Sequence, residues 1–172
     1  MSNFFFDEFV DHWKSLPFED GLPNITSLKN NDFDFLDQNI FVMERLSDDY
    51  FPISRFGDQV RRIYNQEMKG LNFLGLFSGK DRNVVQGNIN NIIDHRCGGM
   101  IGTMALRPSG ANLEIRTYGL PFRNTDGEEN MIVGYSEVLD ENMKIDIRSR
   151  GSISMWPLQG VAYFDIGNGL PI

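Results

Sequence analysis

The feature that most narrows the fold is a series of three β-patterned runs in the second half of the chain: Met100 to Arg107, Leu113 to Phe122 and Met131 to Leu139. Pro108-Ser109-Gly110 and Asn124-Thr125-Asp126-Gly127 separate them, and both are hairpin turn chemistry rather than crossover segments. Three strands joined this way run antiparallel. Two earlier runs, Phe41 to Leu46 and Tyr50 to Phe56, flank the tight turn Ser47-Asp48-Asp49. Pro52 cannot donate to a ladder, so the second of these belongs at a sheet edge or carries a bulge.

Helices fill the space between the two groups of strands. Asp58 is a cap for a helix bearing Val60, Ile63, Tyr64 and Met68 on one side, with Gly70 as its stop. Residues 71–77 form a short apolar turn, and Asp81 caps a longer helix to Arg96 with a buried stripe of Val85, Ile89, Ile92 and Ile93. Gly98-Gly99 ends that helix. At the N-terminus, Phe6, Phe9, Trp13 and Leu16 recur at helical spacing before Pro17. This broad apolar face either docks on the domain or meets a second copy. Its width motivates a twofold homodimer through Phe6, Phe9 and Trp13. The connector 17–38 is rich in turn residues, and Asp32-Phe33-Asp34-Phe35 alternates acid with aromatic across the sheet mouth.

The order of elements predicts an α+β domain, an antiparallel sheet with helices over one face. An N-terminal helix and connector occupy 1–24, the domain 25–140, and a C-terminal extension 141–172. Trp156, Tyr163 and Phe164 make that extension too apolar for a free linker, so it packs on the domain with room for one further strand.

Charge removes several function classes. The net charge is −8, and residues 1–50 carry eleven acidic against three basic side chains. A nucleic acid would be repelled by this end, because affinity for it rests on neutralising phosphates, and an anionic membrane surface is disfavoured on the same ground. No stretch has the length of a membrane span. A single cysteine, Cys97, fits a reducing compartment, and the expected location is the cytoplasm. The 14 Phe point to an aromatic-rich interior or an aromatic-lined cavity.

No catalytic set emerges. His12, His95 and Cys97 are the only imidazole and thiol ligands, on separate elements or different sides of one helix, so no metal site is expected. A Gly-x-Ser-x-Gly elbow is absent, and a thiol at a helix C-terminus is held protonated rather than activated. Gly75 to Asp81 resembles a phosphate loop but is one residue short between its glycines and has Asp81 where a hydroxyl is needed. The paired acids Asp48-Asp49 and Glu128-Glu129 fall in open turns. The expectation is a protein that binds or senses and is not an enzyme.

The segments FDFLDQNIFVMERLSDDYFPISRFGDQV (33–60), EMKGLNFLGLF (67–77) and EIRTYGLPFRN (114–124) resemble the PAS domain family. The likeness is to the variant found mostly in alphaproteobacteria, often as small stand-alone proteins, and it covers roughly residues 25–140. It implies a five-stranded antiparallel sheet, a small cavity between helices and sheet, and a sensory role exerted through signalling proteins, often as a dimer. The flavin-attaching Asn-Cys-Arg-Phe-type run is missing, and His95 sits too late on the long helix for a haem ligand, so neither flavin nor haem is expected. No kinase, DNA-binding or cyclase segment follows, so no output domain is expected. The cavity is expected among Tyr64, Phe73, Phe77, Ile89, Ile93, Met104, Tyr118 and Tyr135. Tyr118 shares its strand parity with Leu120, Glu114 and Arg116, so the alternative is that residues of the opposite parity face inward. A void ringed by polar groups would mark a metabolite sensor; a cavity filled by its own side chains would mark a protein-binding adaptor.

Overall fold

The computed structural model describes residues 4–28, 37–64, 66–105, 113–139 and 157–171. The expected meander is present as β5 (Gly98–Ala105), β6 (Leu113–Phe122) and β7 (Met131–Val138), and β6 matches its expected bounds to the residue. The turn between β6 and β7 is built by Asn124, whose side-chain oxygen accepts from the backbone N–H groups of Asp126 and Glu128, with Gly127 at φ +86°. The Pro108-Ser109-Gly110 turn, the Asp32–Phe35 alternation and Trp156 lie outside the described residues.

Upstream, β3 (Ile40–Glu44) and β4 (Ile53–Phe56) form a hairpin with a register shift between Val42 and Met43. With β8 (Leu158–Phe164), the sheet has six strands among the described residues rather than five, in the order β4-β3-β7-β6-β5-β8, all antiparallel. This extra strand comes from the C-terminal extension and pairs with β5. Pro52 precedes β4 at the outer edge, where its missing donor is harmless. A two-stranded hairpin, β1 (Phe18–Glu19) with β2 (Leu22–Pro23), turns through Asp20 and Gly21, both at positive φ. That is the backbone a two-residue primed turn demands.

Helix α2 (Asp58–Tyr64) is shorter than its apolar stripe suggested; Met68 is buried beyond its end, and Gly70, at φ +79°, sits in a later turn whose N–H donates to Ile53 O. Phe73–Leu76 is a 3-10 turn, with the Asn72 side chain accepting from Leu74 N. Helix α3 (Gly79–Asp94) ends two residues earlier than expected, because Arg96 rather than a glycine takes the left-handed position at φ +50°. Gly98-Gly99 is therefore not a helix stop. Both glycines open β5 and lack a side chain for a packing reason: a Cβ on Gly98 would lie 2.0 Å from the Phe164 ring, and one on Gly99 would lie 2.4 Å from Ile92 Cδ1.

Strand alternation divides the interior into two clusters on opposite faces of the sheet. Phe41, Met43, Ile101, Leu113, Ile115 and Ile132 face α2, the 3-10 turn and α3. Ile40, Val42, Tyr118, Leu120, Phe122, Val133 and Tyr135 face the other way, onto α1 (Phe4–Ser15), Leu22 and Ile166. The sheet is thus covered on both faces.

A charged knot joins the ends of these layers. Arg96 and Arg123 both bind the Glu129 carboxylate, and their guanidinium groups also donate to the Asp20 carbonyl. This ties the β1–β2 turn to the end of α3 and to the β6–β7 turn. The hydrogen bond from Arg96, and the charges of both arginines, hold the Glu129 carboxyl below its ordinary range despite partial burial. A folded-state pKa below the unfolded one contributes stability that is complete above the unfolded value and is lost as pH falls through the folded one. Glu129→Gln is therefore expected to be less stable than the native chain at pH 7, with the gap closing as pH falls below the carboxylate range. Urea denaturation at stepped pH values measures both.

Candidate functional site

A row of glycines crosses the sheet on its α3 side. Gly99 of β5 pairs with Gly119 of β6, Gly119 pairs with Gly134 of β7, and Gly134 pairs with Phe41 of β3. Three adjacent strands thus present bare backbone along one line. Such glycines inside strands mark close approach by another group. Here three side chains make that approach, one of them Ile132, whose Cγ2 lies 3.1 Å from the Gly119 Cβ position. The Phe41 ring lies 2.1 Å from where a Gly134 Cβ would sit, and Ile92 Cδ1 lies 2.4 and 3.4 Å from the Cβ positions of Gly99 and Gly119.

What remains above this floor is a small cavity lined by Phe41, Met43, Phe73, Asn88, Ile89, Ile92, Gly99, Ile101, Thr117, Tyr118, Gly119 and Ile132. The space open to a water centre is about 10 Å³, the room that a single water needs. Helix α3 supplies the roof through Asn88, Ile89 and Ile92, and Phe73 closes one side, stacked on Phe41 at 5.5 Å between ring centres.

The polar groups of this region are not equivalent. Thr117, Ser136 and the Tyr64 hydroxyl share a buried cluster, with Thr117–Ser136 at 2.9 Å, Tyr64–Thr117 at 3.2 Å and Tyr64–Ser136 at 3.4 Å. Burial pushes the Tyr64 pKa up, against the pull of those two hydrogen bonds, so the phenol stays neutral. Asn88 is only 1% exposed. Both its amide nitrogen and its amide oxygen are buried without a hydrogen-bond partner among the described residues. Native interiors pair nearly all such atoms, so an orphaned amide at a cavity wall calls for a reason.

The structure distributes the expected pocket residues unevenly. Phe73 and Ile89 line the cavity, and Tyr64, Phe77 and Ile93 are buried in the same cluster without bordering it. Tyr118 borders the cavity from within β6, but its ring stands on the opposite face, 4.3 Å from Phe6 and 6.3 Å from Tyr135. Tyr135 lies under α1, where burial and the neighbouring Glu137 push its pKa up. Met104 shares its parity with Met100, which packs in that second cluster. Tyr135 and Met104 are thus removed from the cavity, and the opposite parity is the inward one. Sequence reasoning missed Asn88, the glycine row, Phe41 and Thr117. Asn88 falls within the apolar stripe between Val85 and Ile92, and Gly119 and Gly134 interrupt β-patterned runs; those were the available signals.

The expected dimer residues are placed elsewhere as well. Phe9 and Trp13 are 1% and 0% exposed, buried against the chain's own sheet, and the Trp13 indole N–H donates to Pro121 O at 3.0 Å. Phe6 is half-buried, its ring 4.3 Å from that of Tyr118, so all three residues pack against the chain's own sheet. His95 is exposed at the cap of α3, and Cys97 is buried, with desolvation pushing its thiol up to about 11. Among the described residues no group of three or more His, Cys, Asp or Glu side chains could hold a metal ion, and no helix is long and apolar enough to cross a membrane.

A family model described as "PAS domain" matches residues 1–137. No curated protein matches the chain. Among solved structures, the chain is similar to the light-state LOV domain of the blue-light photoreceptor Aureochrome1, at 18% identity over 64% of this chain and 88% of that one, with a TM-score of 0.47. It is also similar to the PAS domain of a protein from Colwellia psychrerythraea, at 12% identity over 67% of this chain and 97% of that one, with a TM-score of 0.49.

Proposed function

Because this chain belongs to the PAS domain family, whose domains are generally sensory or regulatory rather than catalytic, we propose that it is a regulatory module responding to a small molecule in the cavity under α3. The observation that carries this reading is the glycine row. Its floor of bare backbone is covered by the side chains of Phe41, Ile92 and Ile132 and not by other backbone. A route outward is also present. Helix α3, which roofs the cavity, is tied to the edge strand β8 at two points: the Leu158 N–H donates to Asp81 at 3.0 Å, and the Asn91 side chain donates to the Tyr163 hydroxyl at 3.0 Å. A shift of α3 that admits a molecule would be felt at β8, where a signalling protein can read it.

A second reading has an observation of its own. The residual cavity is about 10 Å³, which favours a protein-binding adaptor whose core is filled by its own side chains. Native mass spectrometry of the protein taken from its own cells separates the two. For the sensor, a fraction of the protein is expected to carry a non-covalent organic adduct that is lost on denaturation. Ile89→Trp, which places an indole at the cavity roof, is expected to abolish that adduct while the fold survives. A single unliganded mass, together with a loss of about 1–3 kcal/mol in Ile89→Trp from overpacking, transfers the assignment to the adaptor.

A further inference from the structure

We infer that the cavity is selective for neutral, planar molecules carrying an N–H donor beside a carbonyl acceptor, the lactam and carboxamide class, read by the side-chain amide of Asn88. This rests on the ligand-responsive reading above and deepens it. Of the described residues that line the cavity, only Asn88, Thr117 and Tyr118 carry polar nitrogen or oxygen atoms in their side chains. The Thr117 hydroxyl is engaged by Tyr64 and Ser136, and the Tyr118 hydroxyl donates to Glu137 on the far face of the sheet. Among the described residues Asn88 alone brings an uncommitted donor and an uncommitted acceptor to this space, with Oδ1 3.3 Å from the Cβ position above Gly99.

An amide presents an N–H and a C=O side by side. The group that satisfies both at once is another amide edge, in a paired cyclic hydrogen-bond arrangement. A lone water meets the amide less well, because it needs two to four polar partners and the rest of the wall is aliphatic or aromatic. Among the described residues no charged side chain borders the cavity, so an ionised ligand would be buried there without a counter-charge from them. The shape requirement comes from the floor. Gly99 and Gly119 bring bare backbone to the cavity wall, which suits a flat face, and the parallel pair Phe41 and Phe73 offers an aromatic surface beside it.

The test uses the full chain with 2-pyridone and benzamide as amide probes and toluene as their apolar counterpart. Asn88→Leu keeps the side-chain size and removes the polarity. The amide probes are expected to raise the melting temperature of the native chain and to shift the side-chain NH2 resonances of Asn88 in nitrogen–proton spectra. In Asn88→Leu their affinity is expected to fall about tenfold or more, while toluene binds the variant better than the native chain. Toluene binding to the native chain with the Asn88 resonances unmoved by either amide overturns the inference and leaves a ligand cavity standing. Equal affinity of the amide probes for native chain and variant also overturns it. Binding of none of the three compounds to the native chain overturns both the inference and the sensor reading beneath it.

Discussion

Replacing Trp13 by alanine is expected to destabilise the chain by about 3–5 kcal/mol, the usual range for truncating a fully buried large aromatic. Trp13 is 0% exposed, packs edge-on to Phe18 at 4.8 Å, and satisfies the Pro121 carbonyl through its indole N–H. The truncation leaves a cavity beneath α1 and strips a backbone acceptor of its partner. Equilibrium urea denaturation measures the loss. The result also decides what α1 is for. A helix serving mainly as a contact for a second copy would leave monomer stability almost unchanged on Trp13→Ala, and a change below about 1 kcal/mol, the level of an ordinary surface substitution, would contradict the docked position. Deleting residues 1–16 is expected for the same reason to expose Tyr118, Leu120, Val133 and Tyr135 and to unfold or aggregate the domain.

Gly134→Ala is the second large effect, expected to cost about 3 kcal/mol, near the upper end for an overpacked core. On an unobstructed strand the same change would stabilise by up to about 1 kcal/mol, since glycine loses more backbone freedom on folding. Here the new Cβ would meet Phe41 Cζ at 2.1 Å, and obstruction wins over propensity. Leucine at position 41 lacks the ring atoms that collide. The double variant Gly134→Ala, Phe41→Leu is therefore expected to recover most of the loss that the glycine change causes alone. Thermal unfolding of the four members of this cycle gives the coupling. Additive losses would mean that Phe41 does not occupy the glycine floor, and the account of the cavity would fall with it.

Much of the local structure was legible in the chain. The meander followed from alternation and turn residues, and β6 ran over its expected residues because Leu113, Ile115 and Thr117 keep strict parity on one face while Leu120 and Phe122 hold the other. Pro52 announced an edge or a bulge, and β4 lies at the edge. Helix ends were less certain, because Arg96 can adopt a left-handed conformation that glycine is expected to fill when its guanidinium has Glu129 and the Asp20 carbonyl to bind. The resemblance to PAS domains rested on the same local patterns and agreed with the fold.

The sequence alone determined the kinds of elements, their order and the two-sided character of the strands, because periodicity and turn chemistry act over a few neighbouring residues. It could not say which side of the sheet each parity faces, since an apolar helix suits either face; Tyr118 and Tyr135 were assigned to a cavity on that ambiguity. Register is a relation between strands, and only the folded sheet brings Gly99, Gly119 and Gly134 into one line. The isolation of Asn88 was likewise decided by tertiary structure. Whether a buried amide has a partner depends on every group packed around it, and that surrounding shell is assembled from α3, β5, β6 and β7 together.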